Sequence, residues 1–205
     1  MSAPISSQAL LLPRSARPAK QLLWLWLAED MSASGNFKNG LDLGCGDMAL
    51  RRLFKTESYV GVDCDASRLS LAAAQYSDVT ATVGAIEETE LTGDFVLCVQ
   101  TIGFNRLFDA ANTFKAVEKL IECVRPGGML VLNIGRPSQQ YRQEIDARLH
   151  ASFDNVRKRD YGANNSERSH RVSMLCARMM KLVPMLRGHG LTYFVCTGRV
   201  NKRAG

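Results

Sequence analysis

The chemistry of this chain is concentrated in two short segments. Gly44-Cys45-Gly46 follows the apolar run Leu41-Asp42-Leu43, so a glycine turn closes what reads as a strand. Glycines are needed at such a turn when a ligand must lie against bare backbone at the carboxyl edge of a sheet, where a Cβ would block it. The helix read after the turn would add unpaired N–H groups and a positive dipole end. Asp63 closes the next strand, 19 positions after Gly44. A carboxylate there can accept hydrogen bonds from both hydroxyls of a ribose. Taken alone, Asp63 is equally a surface turn acid; its spacing from the glycine turn favours nucleoside binding. Gly44-x-Gly46-x-x-Ala49 also fits the relaxed dinucleotide fingerprint, which keeps an NAD-linked oxidoreductase open.

The elements that must position these residues alternate. Pro18 to about Met31 has helical spacing of Leu22, Leu23, Trp26 and Leu27. Strands are predicted at Gly40–Leu43, Tyr59–Val62, Val79–Val83, Asp94–Val99 and Met129–Ile134. Between them, helices are predicted over Asp47–Phe54, from a cap at Ser67 to about Tyr76, and from Asn112 or Thr113 to Val124, where Pro126-Gly127-Gly128 makes a turn. The run Met129–Leu132 is wholly apolar, as in the middle of a sheet covered on both faces. Such alternation implies a parallel α/β sheet with right-handed crossovers. Beyond Gly135 the pattern reads as a helix at Gln139–Leu149, a strand at Phe153–Tyr161, a loop at Gly162–Ser169, a helix at Val172–Leu186 and a last strand at Leu191–Val200.

A chain of 205 residues suits one domain with one core. It divides into an N-terminal arm and helix (residues 1–31), a ligand-binding core (40–135) and a basic C-terminal part (136–205) that would roof the site. The apolar run Leu22–Ala28 is far shorter than the roughly 18–20 residues of a membrane span, and the start lacks the basic-then-apolar order of a secretory signal. A cytoplasmic protein is expected. The six cysteines never form C-x-x-C and have no histidines at zinc spacing, so reduced thiols and no metal site are expected. The net charge of +6 is uneven: residues 136–205 carry 14 Lys/Arg and 5 Asp/Glu, for +9. That surface suits an anionic partner (phosphorylated substrate, nucleic acid or acidic lipid) or is simply a solvated basic face.

Five segments in order resemble the class I S-adenosylmethionine (SAM)-dependent methyltransferases. Leu41–Gly46 resembles the family's first motif and Gly61-Val62-Asp63 its second. Gly84-Ala85-Ile86-Glu87-Glu88 stands at the adenine-side segment. Asp94–Val99 resembles the fourth-strand motif and Val124–Leu130 the helix–turn–strand after it. The resemblance covers residues 40–135, and it departs from the family twice: Met48 stands where a third glycine is common, and Ala85 where an acid often receives the adenine amino group.

The resemblance implies a Rossmann-like, doubly wound α/β fold: a mostly parallel seven-stranded sheet with an antiparallel last strand and helices on both faces. It implies SAM as cofactor. Asp42 would help order the methionine amino group, Gly44, Cys45 and Gly46 would line the cofactor, and Asp63 would hold the ribose. Cys64, Ala85 and Ile86 would flank the adenine, and Val99 and Gln100 would face the methyl group. Arg14 or Arg17 would pair with the cofactor carboxylate. No motif marks a catalytic residue; His150, His170, His189 and Asp160 are the bases on offer. The acceptor pocket would come from residues 8–30, 100–112 and 136–190.

The fourth strand does not lead into the Asn/Asp-Pro-Pro-Tyr/Phe segment of many nucleic-acid amino methyltransferases, and no Pro-Cys nucleophile follows. The expected acceptor is therefore a small, sugar-like or lipid-linked molecule, with anionic character. RNA or DNA, and SAM binding without turnover, are the alternatives. The helix over Met174–Leu186, with Arg178, Lys181 and Arg187 among its apolar residues, is either core packing or a peripheral membrane contact. Oligomeric state is left open.

Overall fold

The computed structural model describes residues 15–33, 37–104, 110–162 and 166–200. Helix α1 (Pro18–Ala33) leads into β1 (Asn39–Leu43), β2 (Ser58–Asp63), α2 (Ala66–Gln75), β3 (Thr80–Val83) and β4 (Gly93–Cys98). Then come α3 (Ala110–Cys123), β5 (Val124–Ile134), α4 (Arg142–His150), β6 (Phe153–Tyr161), α5 (His170–Leu182) and β7 (Leu191–Arg199). The strands form one seven-stranded sheet in the order β3-β2-β1-β4-β5-β7-β6. All neighbours pair in parallel except β7, which runs antiparallel to both β5 and β6. The chain order reverses between β1 and β4, and crevices at the carboxyl ends of strands beside such a switch are where ligands bind in open α/β sheets.

Side chains of the central strands alternate between two cores, as a period of two requires. Phe95, Leu97, Met129 and Val131 pack with α1, α2 and α5; Val96, Cys98, Leu130 and Leu132 pack with α3 and α4. Helix α1 is buried on most of its sides because α5 covers its back, which explains a helix with two tryptophans and no polar face.

Three local expectations change. Residues 47–54 form no α-helix: only a short 3-10 turn occurs, at Arg51–Leu53. Met48 is the cause, because it sits at φ 54°, and one left-handed residue interrupts a helix. Helix α2 is capped by Asp65, whose carboxylate accepts from the N–H groups of Ser67 and Arg68; Ser67 is inside the first turn. The Pro-Gly-Gly segment is a bulge within β5 rather than a turn before it. Val124 pairs with Gly93, and the register resumes at Met129 opposite Phe95. Pro126 cannot donate to the ladder, and Gly127 takes φ 74°.

Candidate active site

The carboxyl ends of β1, β2 and β4 open onto a cavity of about 560 Å³. Gly44, Asp63, Cys64, Ala85, Ile86 and Gln100 line it, from four separate segments of the chain. The glycine turn is bare for a reason visible in its surroundings. Gly44 has φ 74°, and a Cβ there would fall 2.3 Å from Thr101 Oγ1. Asp63 is pinned rather than free. Its Oδ2 accepts from the Gly46 N–H at 2.7 Å and its Oδ1 from the Asp65 N–H at 2.9 Å. Each oxygen keeps further acceptor capacity for a sugar hydroxyl. The turn and the acid are thus one hydrogen-bonded unit.

Gly46 lies beneath the Arg68 guanidinium, which also stands 3.7 Å from Asp47. Arg68, Thr101 and Lys115 reach the cavity wall although sequence reasoning assigned them no role, and Glu87 and Glu88 of the expected adenine-side segment reach it too. Arg68 had a signal, since the first turn of the helix after a strand-ending acid faces the same crevice. Thr101 had none. Where Ala85 leaves the family's acid missing, Glu87 and Glu88 put carboxylates on the same wall.

Asp42, Cys45, Gly46 and Val99 do not reach the cavity wall. Val99 is buried in the core on the α1 side. Asp42 is buried and accepts from Tyr59 Oη at 2.7 Å. Burial pushes its carboxyl up to about 7, helped by nearby Asp63 and opposed by the Tyr59 hydrogen bond. Burial, and then Asp42 and Asp63, also push the Cys45 thiol up, so it is no nucleophile at neutral pH. Met48, the residue in place of a third glycine, turns its side chain into the core. It is fully buried, its methyl group lies under Gly61, and it leaves the crevice clear.

A raised carboxyl makes the sign of a pH effect definite. Between about 4 and 7 the folded protein holds a proton on Asp42 that the unfolded chain releases. Stability contributed at this site therefore falls as pH rises through that window. Melting temperature measured from pH 5 to 8 should decline, and Asp42→Asn should flatten the decline and melt higher at pH 8. A parallel decline in the variant would place the titration elsewhere.

On its other side Gln100 borders a second chamber of about 750 Å³, lined by Arg17, Lys20, Phe104, Arg136, Tyr161 and Glu167 among others. Gln100 is held in the left-handed region at φ 61°. Its N–H donates to Asn133 Oδ1 at 2.6 Å, and Asn133 Nδ2 donates to Tyr161 Oη at 2.9 Å. Asn133 and Tyr161 are completely buried, and Tyr161 packs edge-on against Trp26. The unusual backbone is therefore fixed by a satisfied polar chain running into the core.

The two spaces differ in charge. Asp63, Asp65, Glu87 and Glu88 outnumber Arg68 and Lys115 around the first. Arg17, Lys20 and Arg136 outnumber Glu167 around the second. Arg17 pairs with Glu167 at 3.2 Å, and Arg14 lies outside the described residues. Neither His150, His170, His189 nor Asp160 lines either space. His150 bonds Asp146, and Asp160 is engaged by Arg142 and Thr192.

A family model described as a methyltransferase domain matches residues 41–132. The fold is similar to that of N-methyltransferase NodS from Bradyrhizobium japonicum, with a TM-score of 0.61 at 14% identity, covering 89% of this chain and 98% of that one. It is also similar to the methyltransferase in a Haloferax volcanii complex with the Trm112 activator (TM-score 0.58, 16% identity, 91% and 96% covered). A third likeness is Haemonchus contortus phosphoethanolamine N-methyltransferase 2, bound to phosphomonomethylethanolamine and S-adenosylhomocysteine (TM-score 0.54, 14% identity, 86% and 52% covered). No curated protein matches the sequence. Glycine turn, pinned acid and strand order together define a Rossmann-like α/β fold with an open crevice at its switch point. Residues 41–132, the part that the family model matches, form a methyltransferase domain of the class I, SAM-dependent type. That sets aside the NAD-linked alternative.

SAM supplies a methyl group on a sulfonium leaving group. The chain must bind it, align it and keep water away. The acid-rich wall around Asp63 suits a cationic ligand.

Proposed function

We propose that this enzyme methylates a small acceptor bearing an anionic group, phosphate or carboxylate, that enters through the Arg17–Lys20–Arg136 chamber. The carrying observation is that Gln100 belongs to both walls, so the acid-rich donor cavity and the cationic chamber meet at one residue. In this reading Asp63 holds the ribose, Cys64, Ala85 and Ile86 flank the adenine, and Gln100 faces the transferring methyl. Asp42, Cys45 and Val99 support the turn from beneath. Lys20 strengthens the case: burial pulls its ammonium below the usual value, with neighbouring Arg17 and Arg68 adding to the effect and Asp47 opposing it. A partly desolvated cation among cations gains from an anionic guest. The third similar structure holds a phosphorylated acceptor.

The basic C-terminal part needs no nucleic acid to explain much of its charge. Arg157 and Arg159 pair with Asp30, Lys158 with Asp146, Arg148 with Glu118 and Glu144, and Lys181 with Glu29. Labelled SAM offered with matched pairs of phosphorylated and neutral small acceptors tests the proposal. Arg136→Glu should lower kcat/KM for the anionic member at least tenfold, as expected for one lost charge-assisted contact of about 1.5–3 kcal/mol, while SAM affinity holds. Equal turnover of neutral acceptors, or transfer to RNA instead, would refute it.

A further inference from the structure

Among the described residues, nothing covers the outer face of helix α5. Val172, Leu175, Met179 and Leu182 recur at three- and four-residue intervals, and all are exposed, Leu182 at 80%. The 3-10 turn that follows, Pro184–Leu186, adds Met185 at 87% exposure. The opposite face, Ser173, Ala177 and Met180, is the one packed inward on α1. A single exposed leucine is ordinary; an apolar row of this length on one helix is a contact surface.

Charge says what covers it. No Asp or Glu occurs from Arg168 to the end of the sequence. Lys181 and Arg187 are turned back onto the protein, to Glu29 and to the carbonyls of Met180 and Lys181. Arg171 and Arg178 are exposed and form no ion pair among the described residues. A second copy of this face would bring these arginines against one another. Residues 1–14 contain Leu10–Leu12 but no acid to meet them. Apolar side chains flanked by unpaired arginines suit the headgroup layer of an anionic bilayer, into which leucine and methionine insert while the guanidinium groups meet phosphates.

We infer that the α5 face with the Pro184–Leu186 turn docks this enzyme on an anionic lipid surface. The N-terminal end of α5 adjoins the chamber, since Ser173 Oγ donates to the Ala16 carbonyl and Glu167 lines the chamber wall. Docking thus sets the chamber beside the headgroups. That consequence rests on the acceptor reading above; the docking itself does not.

Co-sedimentation of the full chain with vesicles tests docking without SAM or acceptor, so its result is independent of the methylation assay. Partition onto equal-part phosphatidylcholine–phosphatidylglycerol vesicles should exceed that onto pure phosphatidylcholine, and added salt should reduce it. Arg171→Gln and Arg178→Gln should each reduce partition about fivefold. Leu182→Glu with Met185→Glu should abolish it, with melting temperature and SAM affinity unchanged. Three results would overturn the inference: no sedimentation with anionic vesicles, binding unaffected by these substitutions, or a dimer that they dissolve in the absence of vesicle binding.

Discussion

Asp63→Ala should weaken SAM binding at least tenfold and leave the fold standing. Two effects add. The side chain is the carboxylate proposed for the ribose hydroxyls, and hydrogen bonds to a charged group are worth about 1.5–3 kcal/mol each. It also ties the glycine turn to β2, because it accepts from the Gly46 and Asp65 N–H groups. Asp63→Asn should fall between wild type and alanine: one oxygen still accepts, but the amide cannot accept at the other position. Calorimetric titration with SAM measures both variants, and circular dichroism confirms the fold. Unchanged affinity in the alanine variant would show that the ribose lies elsewhere.

Gly44→Ala should be the most damaging single methyl group in the site. The new Cβ would stand 2.3 Å from Thr101 Oγ1 and 2.6 Å from its Cγ2, on a backbone at φ 74°. The left-handed conformation costs a non-glycine residue roughly 1–2 kcal/mol, and the overlap adds roughly 1–3 kcal/mol. The turn must shift, so SAM affinity should fall with stability. Thr101→Ala in the same chain should restore part of both. The restoration stays partial because the Thr101 Cβ itself would lie 2.9 Å away and the φ penalty remains. Full activity in Gly44→Ala would mean that the turn is not the cofactor's floor.

The seven strands, their alternation and the glycine–acid pair were legible because each is a local pattern. What escaped was set by distant parts of the chain. The helix expected at Asp47–Phe54 has suitable residues, yet Met48 adopts φ 54° because its side chain is drawn beneath Gly61 into the core. Asp65 rather than Ser67 caps α2 because the Asp63 carboxylate holds the Asp65 N–H and turns the chain there. Thr101 and Arg68 enter the cavity wall through the packing of β4 and α2 against the turn. The +9 of the last third read as a basic surface, but the folded chain brings Asp30, Glu29 and Glu118 from the acidic part to meet it. Charge summed along a sequence overstates charge presented to solvent when two regions of opposite sign fold together.

The Gln100–Asn133–Tyr161 chain behind the shared wall acts as a seam between the two chambers. On one side lies the acid-rich cavity at the carboxyl ends of β1, β2 and β4. On the other lies the cationic chamber, bordered by Lys20 of α1, Tyr161 of β6 and Leu191 of β7. If the cationic chamber takes the acceptor as proposed, an engineer seeking a new one would recut Arg17, Lys20 and Arg136, and would leave Asn133 alone, since it holds Gln100 at the boundary of both chambers.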